Sequence, residues 1–161
     1  MIIRAATNLD VQELLTIYNE GIEDRIATLE SVPKDEAYML EWLTKRSGRY
    51  TVLVAELDQR VIGWASLNPY SHRCAYDGVA DLSVYIKREY RGKGVGGGLL
   101  HSLENEAKQN GFHKIVLFTF PFNGLGQGLY KKSGYREVGV FKNQGKLDGA
   151  FIDVVAMEKV L

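Results

Sequence analysis

Five glycines cluster between residues 92 and 98, in and beside the stretch Arg91-Gly92-Lys93-Gly94-Val95-Gly96-Gly97. This stretch follows a predicted strand and opens a predicted helix, whose free N–H groups and dipole attract anions. Glycines let the backbone approach phosphate oxygens, and they lower helix propensity here without an obvious structural reason. Charge alone would indicate only a solvated basic loop. The glycines therefore predict a site for a ligand with several phosphates, assisted by the cations Lys87, Arg88, Arg91 and Lys93.

Two common phosphate motifs compete for this turn. Gly92, Gly94 and Gly97 match G-x-G-x-x-G, but that fingerprint requires a βαβ unit and an acidic residue about 20 positions later. The next predicted strand ends Thr119-Phe120-Pro121, without an acid. A Walker A loop is excluded because no Gly-Lys-Ser/Thr follows at the required spacing.

The elements that must position this turn can be predicted from periodicity, caps and turn residues. Thr7 and Asp10 form a capping-box pattern before the first helix. The second helix is predicted to face inward with Ala37, Leu40 and Leu43. The predicted strands cover residues 2–6, 50–57, 61–67, 79–86, 114–120, 135–141 and 151–160, and the predicted helices follow residue 10 and cover residues 34–46, 95–110 and 125–132.

Composition narrows the class of protein. The chain has 161 residues, 45% of them hydrophobic and 25% charged, which is typical of one globular domain. Twenty basic side chains balance twenty acidic ones, so nucleic acid is a poor expectation. The sequence shows no secretory or membrane-spanning segment, and its one cysteine, Cys74, agrees with a reducing compartment. We expect a cytoplasmic protein.

The turn resembles the pyrophosphate loop of the GNAT acetyltransferases, Arg/Gln-x-x-Gly-x-Gly/Ala, through Arg91, Gly94 and Gly96. The order of the predicted elements is similar to that family over essentially the whole chain. The resemblance implies one N-acetyltransferase domain over residues 1–161 with the GNAT fold. That fold is a mixed α/β (α+β) arrangement with a mostly antiparallel sheet of about six or seven strands, splayed between the fourth and fifth, and about four flanking helices.

The resemblance also implies acetyl-coenzyme A as co-substrate and assigns its contacts. The pyrophosphate would lie on the turn, and the pantetheine arm would bond to backbone groups among Val84, Tyr85 and Ile86. A second family signature, Asn-x-x-Ser-x-x-Leu-Tyr, is matched from Asn123 to Tyr130, so Asn123 would bond the pantetheine and Tyr130 would reach the sulfur. Gly126 replaces the family serine, which puts one coenzyme hydrogen bond in question. Taken singly, Asn123 is equally typical of a helix cap and Tyr130 of a core aromatic.

Within the family, the chain resembles the phosphinothricin and methionine-sulfoximine acetyltransferases. The similar stretches are Ile17-Tyr18-Asn19-Glu20-Gly21-Ile22, Arg25 with Ala27-Thr28-Leu29-Glu30, Arg73-x-Ala-Tyr76, Asp81-x-Ser-Val-Tyr and Asp148-Gly-Ala-Phe-Ile-Asp153-Val. The family usually has Glu at the position of Asp81, and often a basic or aromatic residue at Gly149-Ala150. Both departures concern the acceptor pocket, so the resemblance predicts the type of reaction more safely than the identity of the acceptor.

Acetyl transfer to an amine requires a base, because an ammonium group has no lone pair. The resemblance makes Asp81 the candidate, acting directly or through water, the relay being favoured because its side chain is shorter than Glu; alternatively, Asp81 only faces solvent on an alternating strand. Tyr130 would protonate the leaving thiolate. Backbone N–H groups of residues 82–84 would stabilise the oxyanion.

An amino acid analogue would need cationic or hydroxyl partners, for which Arg25, Thr28, Arg73 and Tyr76 are the candidates. His72, His101 and His113 lack metal-ligand spacing, so no metal is expected. We expect a homodimer, as is common among related enzymes.

Three alternatives stay open. The acceptor could be a polyamine, an aminoglycoside or a protein N-terminus; arginines instead of an acidic cluster in the acceptor loops argue against polycations. A non-catalytic acyl-coenzyme A sensor would keep the glycine turn but could lose Asp81 and Tyr130. A dinucleotide-binding oxidoreductase ranks third.

Overall fold

Seven strands and four helices make up most of the chain, and the computed structural model describes all 161 residues. The strands are β1 (Ile2–Ala5), β2 (Val52–Leu57), β3 (Arg60–Pro69), β4 (Val79–Ile86), β5 (Lys114–Thr119), β6 (Arg136–Leu147) and β7 (Ala150–Val160). The helices are α1 (Val11–Asp24), α2 (Glu36–Thr44), α3 (Val95–Gln109) and α4 (Gly124–Lys132). None of the four helices has the length and apolar character needed to cross a membrane.

The strands form one mixed sheet in the order β1-β2-β3-β4-β5-β7-β6. Every neighbouring pair is antiparallel except β4 and β5, which are parallel. These two strands pair only at their beginnings, and the last matched residues are Asp81 and Val116. Beyond Asp81 the strands diverge, which leaves a gap beside residues 82–86. The predicted mixed GNAT fold, with its splay between the fourth and fifth strands, is confirmed.

Two hydrophobic cores cover the two faces of the sheet. On one face α3 packs on the strands through Leu99, Leu100 and Leu103, all fully buried. On the other face α1 and α2 enclose a smaller core around Trp64. The indole Nε1 of Trp64 donates a hydrogen bond to the carbonyl of Leu14, 3.2 Å away, so α1 is fixed to the middle of β3.

Local signals predicted most element ends correctly. The Thr7–Asp10 capping box is present before α1. The β2–β3 hairpin turns through Asp58 and Gln59, which both have positive φ, as a two-residue turn between twisted strands requires. The last hairpin is longer than predicted: β6 continues to Leu147 and turns through Asp148 and Gly149.

The inward face predicted for α2 is wrong at Ala37 and Leu40 and correct at Leu43. Ala37 and Leu40 are exposed, whereas Met39 is buried and Trp42 and Leu43 are half-buried. This short helix carries two rows of apolar side chains, the predicted row of residues 37, 40 and 43 and the observed row of residues 39, 42 and 43. Only one of the two rows can face the core. The larger side chains of Met39 and Trp42 prevail because they fill the space between α1 and the ring of Trp64, which lies 5.3 Å from that of Trp42.

Candidate active site

A pocket of about 490 Å³ lies along the free edge of β4 beyond its last pair with β5, and residues of α1, α3 and α4 line most of the rest of it. Ten of the residues predicted from the sequence line it. They are Val84, Tyr85, Ile86, Arg91, Gly92, Gly94, Gly96, Gly97, Asn123 and Tyr130. The fold therefore joins the glycine turn, the open edge of β4 and the start of α4, which lie far apart in the chain.

The glycine turn presents free backbone donors to this pocket. Gly92 and Gly94 have φ of 72° and 85°, a left-handed conformation that favours glycine. Gly94 caps α3 without a side-chain hydrogen bond, and the first bond of the helix runs from the N–H of Gly98 to the carbonyl of Gly94. The N–H groups of residues 95–97 consequently have no partner within the helix, which makes this end a site for phosphate oxygens.

Most of the cations predicted around the turn are already paired. Arg88 and Arg91 both bind Asp24 at the end of α1, and hydrogen bonds from them hold the pKa of Asp24 below its usual value. Arg91 also donates from Nε to the carbonyl of Ile86, 3.0 Å away. Lys87 pairs with Glu89. The sequence could not show this role, because Asp24 lies 67 residues before Arg91.

Lys93 is the exception among these cations, because it has no carboxylate partner. It is exposed, lies outside the pocket lining, and holds its ammonium 5.6 Å from the centre of the Tyr90 ring. Val95 is also outside the lining, since its side chain is buried in the core. In this turn, therefore, the backbone donors face the pocket and most of the cations brace the loop.

The open edge of β4 offers further backbone groups. The N–H of Lys87 donates to the carbonyl of Ile62 in β3, whereas the carbonyl of Ile86 accepts from Arg91 on the opposite side. Because backbone direction alternates along a strand, the N–H and C=O of Val84 and Ile86 face the gap. No strand pairs with them there, so an extended ligand with amide groups can bond to this edge.

Asn123 caps α4, which agrees with its interpretation as a helix cap. Its Oδ1 accepts a hydrogen bond from the N–H of Gly126, 3.0 Å away, and the residue also lines the pocket. A Cβ on Gly126 would lie 2.6 Å from Asn123 Nδ2. A side chain at residue 126 would therefore displace the amide group of Asn123, which is folded back over Gly126.

We call the point where β4 and β5 diverge the fork. Asp81 lies there, as the last residue of β4 that pairs with β5. It lies beside the pocket but not in its lining. It is half-buried, and no ion pair or side-chain hydrogen bond reaches its carboxyl. Burial raises its pKa to about 7, with a bond from the backbone N–H of Leu82 acting in the opposite direction. A carboxyl group with this pKa can accept a proton at neutral pH.

Tyr130 is a buried residue of α4 that lines the pocket. Burial raises the pKa of its hydroxyl, and the negative charge of Asp81 raises it further. The hydroxyl therefore stays protonated at neutral pH and can donate a hydrogen bond to negative charge that develops beside it. A proton acceptor and a hydrogen-bond donor thus lie near the fork.

The four predicted acceptor residues are not gathered in this pocket. Arg25 binds Asp148, with Nε and Oδ2 2.8 Å apart, and Thr28 accepts a hydrogen bond from the N–H of Glu30. Arg73 and Tyr76 lie on the exposed loop before β4. None of the four lines the pocket, so their contact with an acceptor stays a prediction.

Sequence reasoning missed several lining residues. On the α1 side they are Ile17, Gly21, Ile26 and Ala27, and on the α4 side Gly124, Leu125, Gly126, Gly128, Leu129, Lys132 and Ser133. Gly21 carried a weak signal, because it lies one helical turn after Ile17 on the apolar face of α1. A Cβ there would lie 3.2 Å from the ring of Tyr85, so the glycine admits that ring. No group of three or more His, Cys, Asp or Glu side chains is arranged to hold a metal ion.

Comparison with known proteins agrees with this geometry. Residues 12–135 match the acetyltransferase (GNAT) family model. A L-methionine sulfoximine/L-methionine sulfone acetyltransferase of Pseudomonas paraeruginosa is 30% identical over 97% of this chain and 92% of its own.

Two solved structures share the fold over nearly the whole chain. A ribosomal-protein-alanine N-acetyltransferase from Brucella melitensis has a TM-score of 0.96 at 32% identity, covering 100% of both chains. A GNAT superfamily phosphinothricin acetyltransferase from Sinorhizobium meliloti, in complex with acetyl-coenzyme A, has a TM-score of 0.93 at 28% identity, covering 99% of this chain and 88% of its own. The chain belongs to the GNAT family and is an acetyl-coenzyme A-dependent N-acetyltransferase.

Proposed function

We propose that this enzyme transfers the acetyl group of acetyl-coenzyme A to the primary amine of an amino acid analogue of the phosphinothricin or methionine sulfoximine type. The observation that carries the amine acetylation is the position of Asp81 at the fork, between the coenzyme gap and the α1–α2 face of the sheet. Relatives named for these two acceptors, 30% and 28% identical to this chain, support the choice of acceptor.

The proposed mechanism uses the two sides of the fork. The glycine turn binds the coenzyme phosphates, and the edge at Val84 and Ile86 aligns the pantetheine arm, which brings the thioester to Tyr130. Asp81 takes a proton from the acceptor ammonium, directly or through water. The freed amine attacks the acetyl carbon, the C–N bond forms, and the C–S bond breaks. Tyr130 then protonates the thiolate, and the second proton that the nitrogen loses as the amide forms passes through water to restore the Tyr130 hydroxyl.

Stabilisation of the intermediate and alignment of the reactants complete this mechanism. We assign the tetrahedral oxyanion to the backbone N–H of Val84, because that of Ser83 faces β3 and that of Leu82 bonds the Asp81 carboxyl. Holding amine and thioester in line contributes further rate.

We also propose that residues 1–161 act as one domain and assemble as a homodimer. The single seven-stranded sheet supports the first statement. Exposed apolar side chains on the last hairpin and its neighbouring strand support the second, namely Phe118, Val138, Val140, Phe141 and Phe151.

Another acceptor is the second candidate, and a protein N-terminus has specific support. The Brucella melitensis structure, 32% identical, is named a ribosomal-protein-alanine N-acetyltransferase. A non-catalytic sensor is disfavoured because Asp81 and Tyr130 lie together at the fork. The dinucleotide-binding oxidoreductase is excluded by the GNAT fold.

An acceptor panel tests the proposed specificity. The panel contains methionine sulfoximine, phosphinothricin, spermidine, an aminoglycoside and a peptide with N-terminal alanine, and kcat/KM is measured by thiol release. We expect the two amino acid analogues to exceed the others by about tenfold or more, a difference of roughly 1.4 kcal/mol in transition-state binding. A preference for the peptide or for a polycation would overturn the acceptor assignment and leave the reaction type intact.

A further inference from the structure

The segment between α1 and α2 forms part of the wall of the pocket. We call residues 25–30 the strap. Ile26 and Ala27 of the strap line the pocket, opposite the residues of α4. Any displacement of the strap therefore moves a wall of the active site.

The ends of this connection are fixed on α1. Arg25 ends the helix with φ of 58°, and both its backbone N–H and its Nη1 donate to the carbonyl of Ile22. Further along, Asn19 of α1 binds both the N–H and the carbonyl of Lys34 through its side-chain amide. Residues 26–33 make no backbone–backbone hydrogen bond. The middle of the strap must be positioned by side chains.

Two side-chain contacts join the strap to the β6–β7 hairpin. Leu29 occupies a notch at Gly145 of β6, where a Cβ would lie only 2.4 Å from Leu29 Cδ1. Arg25 binds Asp148 at the tip of the same hairpin. Because α1 packs on the β3–β4 side of the fork and the hairpin belongs to the β5 side, these contacts bridge the two diverging parts of the sheet.

We propose that Leu29 and Gly145 form a latch that holds the wall at Ile26 and Ala27 in position for the acceptor, so that both act as positioning residues for acceptor binding. This inference rests on the proposed function, since it assumes an amine that enters from the strap side. The notch depends on the absence of a side chain at residue 145. The Arg25–Asp148 pair is largely exposed and contributes less.

A glycine-to-alanine pair of variants tests the latch. Gly145→Ala fills the notch and pushes Leu29 out, whereas Gly139→Ala adds the same methyl group to the same strand with nothing within 4 Å. We expect Gly145→Ala to lower kcat/KM for the best amine of the panel by about tenfold through acceptor KM, because a wall displaced by about 1 Å misplaces a bound reactant. The dissociation constant for acetyl-coenzyme A should change much less than the acceptor KM, because the glycine turn and the edge of β4 lie on other elements. The activity of Gly139→Ala should be unchanged.

A second measurement needs no acceptor and separates failure of the latch from failure of the proposed function. The rate of tryptic cleavage after Arg25, followed by mass spectrometry, should rise in Gly145→Ala and not in Gly139→Ala, because the freed strap reaches the protease more easily. Leu29→Ala should raise it too, and adding Gly145→Ala to Leu29→Ala should change nothing more. Equal cleavage in the two glycine variants, additive effects, or a matching loss of coenzyme affinity would overturn the latch.

Discussion

Replacing Asp81 with asparagine is expected to lower kcat by about 10²- to 10⁴-fold at pH 8, the range typical of a lost general base. Asparagine keeps the size and polarity of the side chain but cannot take a proton from the acceptor ammonium. The affinity for acetyl-coenzyme A, measured by calorimetry, should stay within about twofold of the native value, because Asp81 lies outside the glycine turn and the lining of the pocket.

The pH dependence of the native enzyme identifies the same group. Because the pKa of Asp81 is raised to about 7, its carboxyl is protonated and inactive in mildly acidic solution. Activity should rise as the pH increases through about 7, and this limb should be absent from the residual activity of Asp81→Asn. The matched control is Asp77→Asn on the exposed loop before β4, which should keep both the rate and the pH profile. Unchanged turnover in Asp81→Asn would refute the base assignment.

The same raised pKa has a consequence for stability that does not depend on any acceptor. A carboxyl whose pKa is higher in the folded than in the unfolded chain contributes stability at acid pH, and this contribution is lost as the pH rises from about 4 to about 7. Asparagine does not titrate. The free energy of unfolding of Asp81→Asn, relative to the native protein, should therefore increase over this pH range, which distinguishes a lost base from a misfolded variant.

Substituting Gly97 with glutamate is expected to weaken acetyl-coenzyme A binding by about 100-fold or more. Gly97 lies in the first turn of α3 and lines the pocket, and a Cβ there would have its nearest neighbour 4.0 Å away at Leu129 Cδ1, so a side chain fits. A carboxylate about 5 Å from a phosphate repels it by roughly 3 kcal/mol at an effective dielectric constant of about 20. That energy corresponds to more than 100-fold in affinity.

This variant should not lose stability, since glutamate favours helix formation over glycine and interacts well with a helix N-terminus. Thermal unfolding should occur at the native temperature or above it. Gly48→Glu introduces the same charge on an exposed turn with nothing within 4 Å and serves as the control. Native affinity in Gly97→Glu would show that the coenzyme phosphates bind elsewhere.

Local sequence signals predicted the donor half of the site well. The glycine turn, the caps of α1 and α3 and the alternation of β4 each depend on residues within a few positions of one another. These signals placed Gly94 at the start of α3 and Asp81 on β4, and the structure agrees. The splay beside β4 required the family resemblance, because no residue pattern within β4 or β5 indicates where their pairing ends.

Contacts between distant parts of the chain were not predictable. Asp24 binds Arg88 and Arg91, which turns two expected phosphate ligands into braces for the loop. Leu29 meets Gly145 across more than a hundred residues, and nothing near either position signals the other. The buried face of α2 could not be predicted, because two rows of apolar residues lie on a helix of nine residues. Only packing against Trp64 determines which row is buried.

The most direct test of the central claim is the fate of the acetyl group. Purified protein is incubated with acetyl-coenzyme A and methionine sulfoximine, and free thiol and the mass of the amine are both followed. We expect thiol release that depends on the amine and one N-acetylated amine for every thiol released. Thiol release that is absent with methionine sulfoximine and with every other amine of the panel, or that yields no N-acetylated product, would contradict the account.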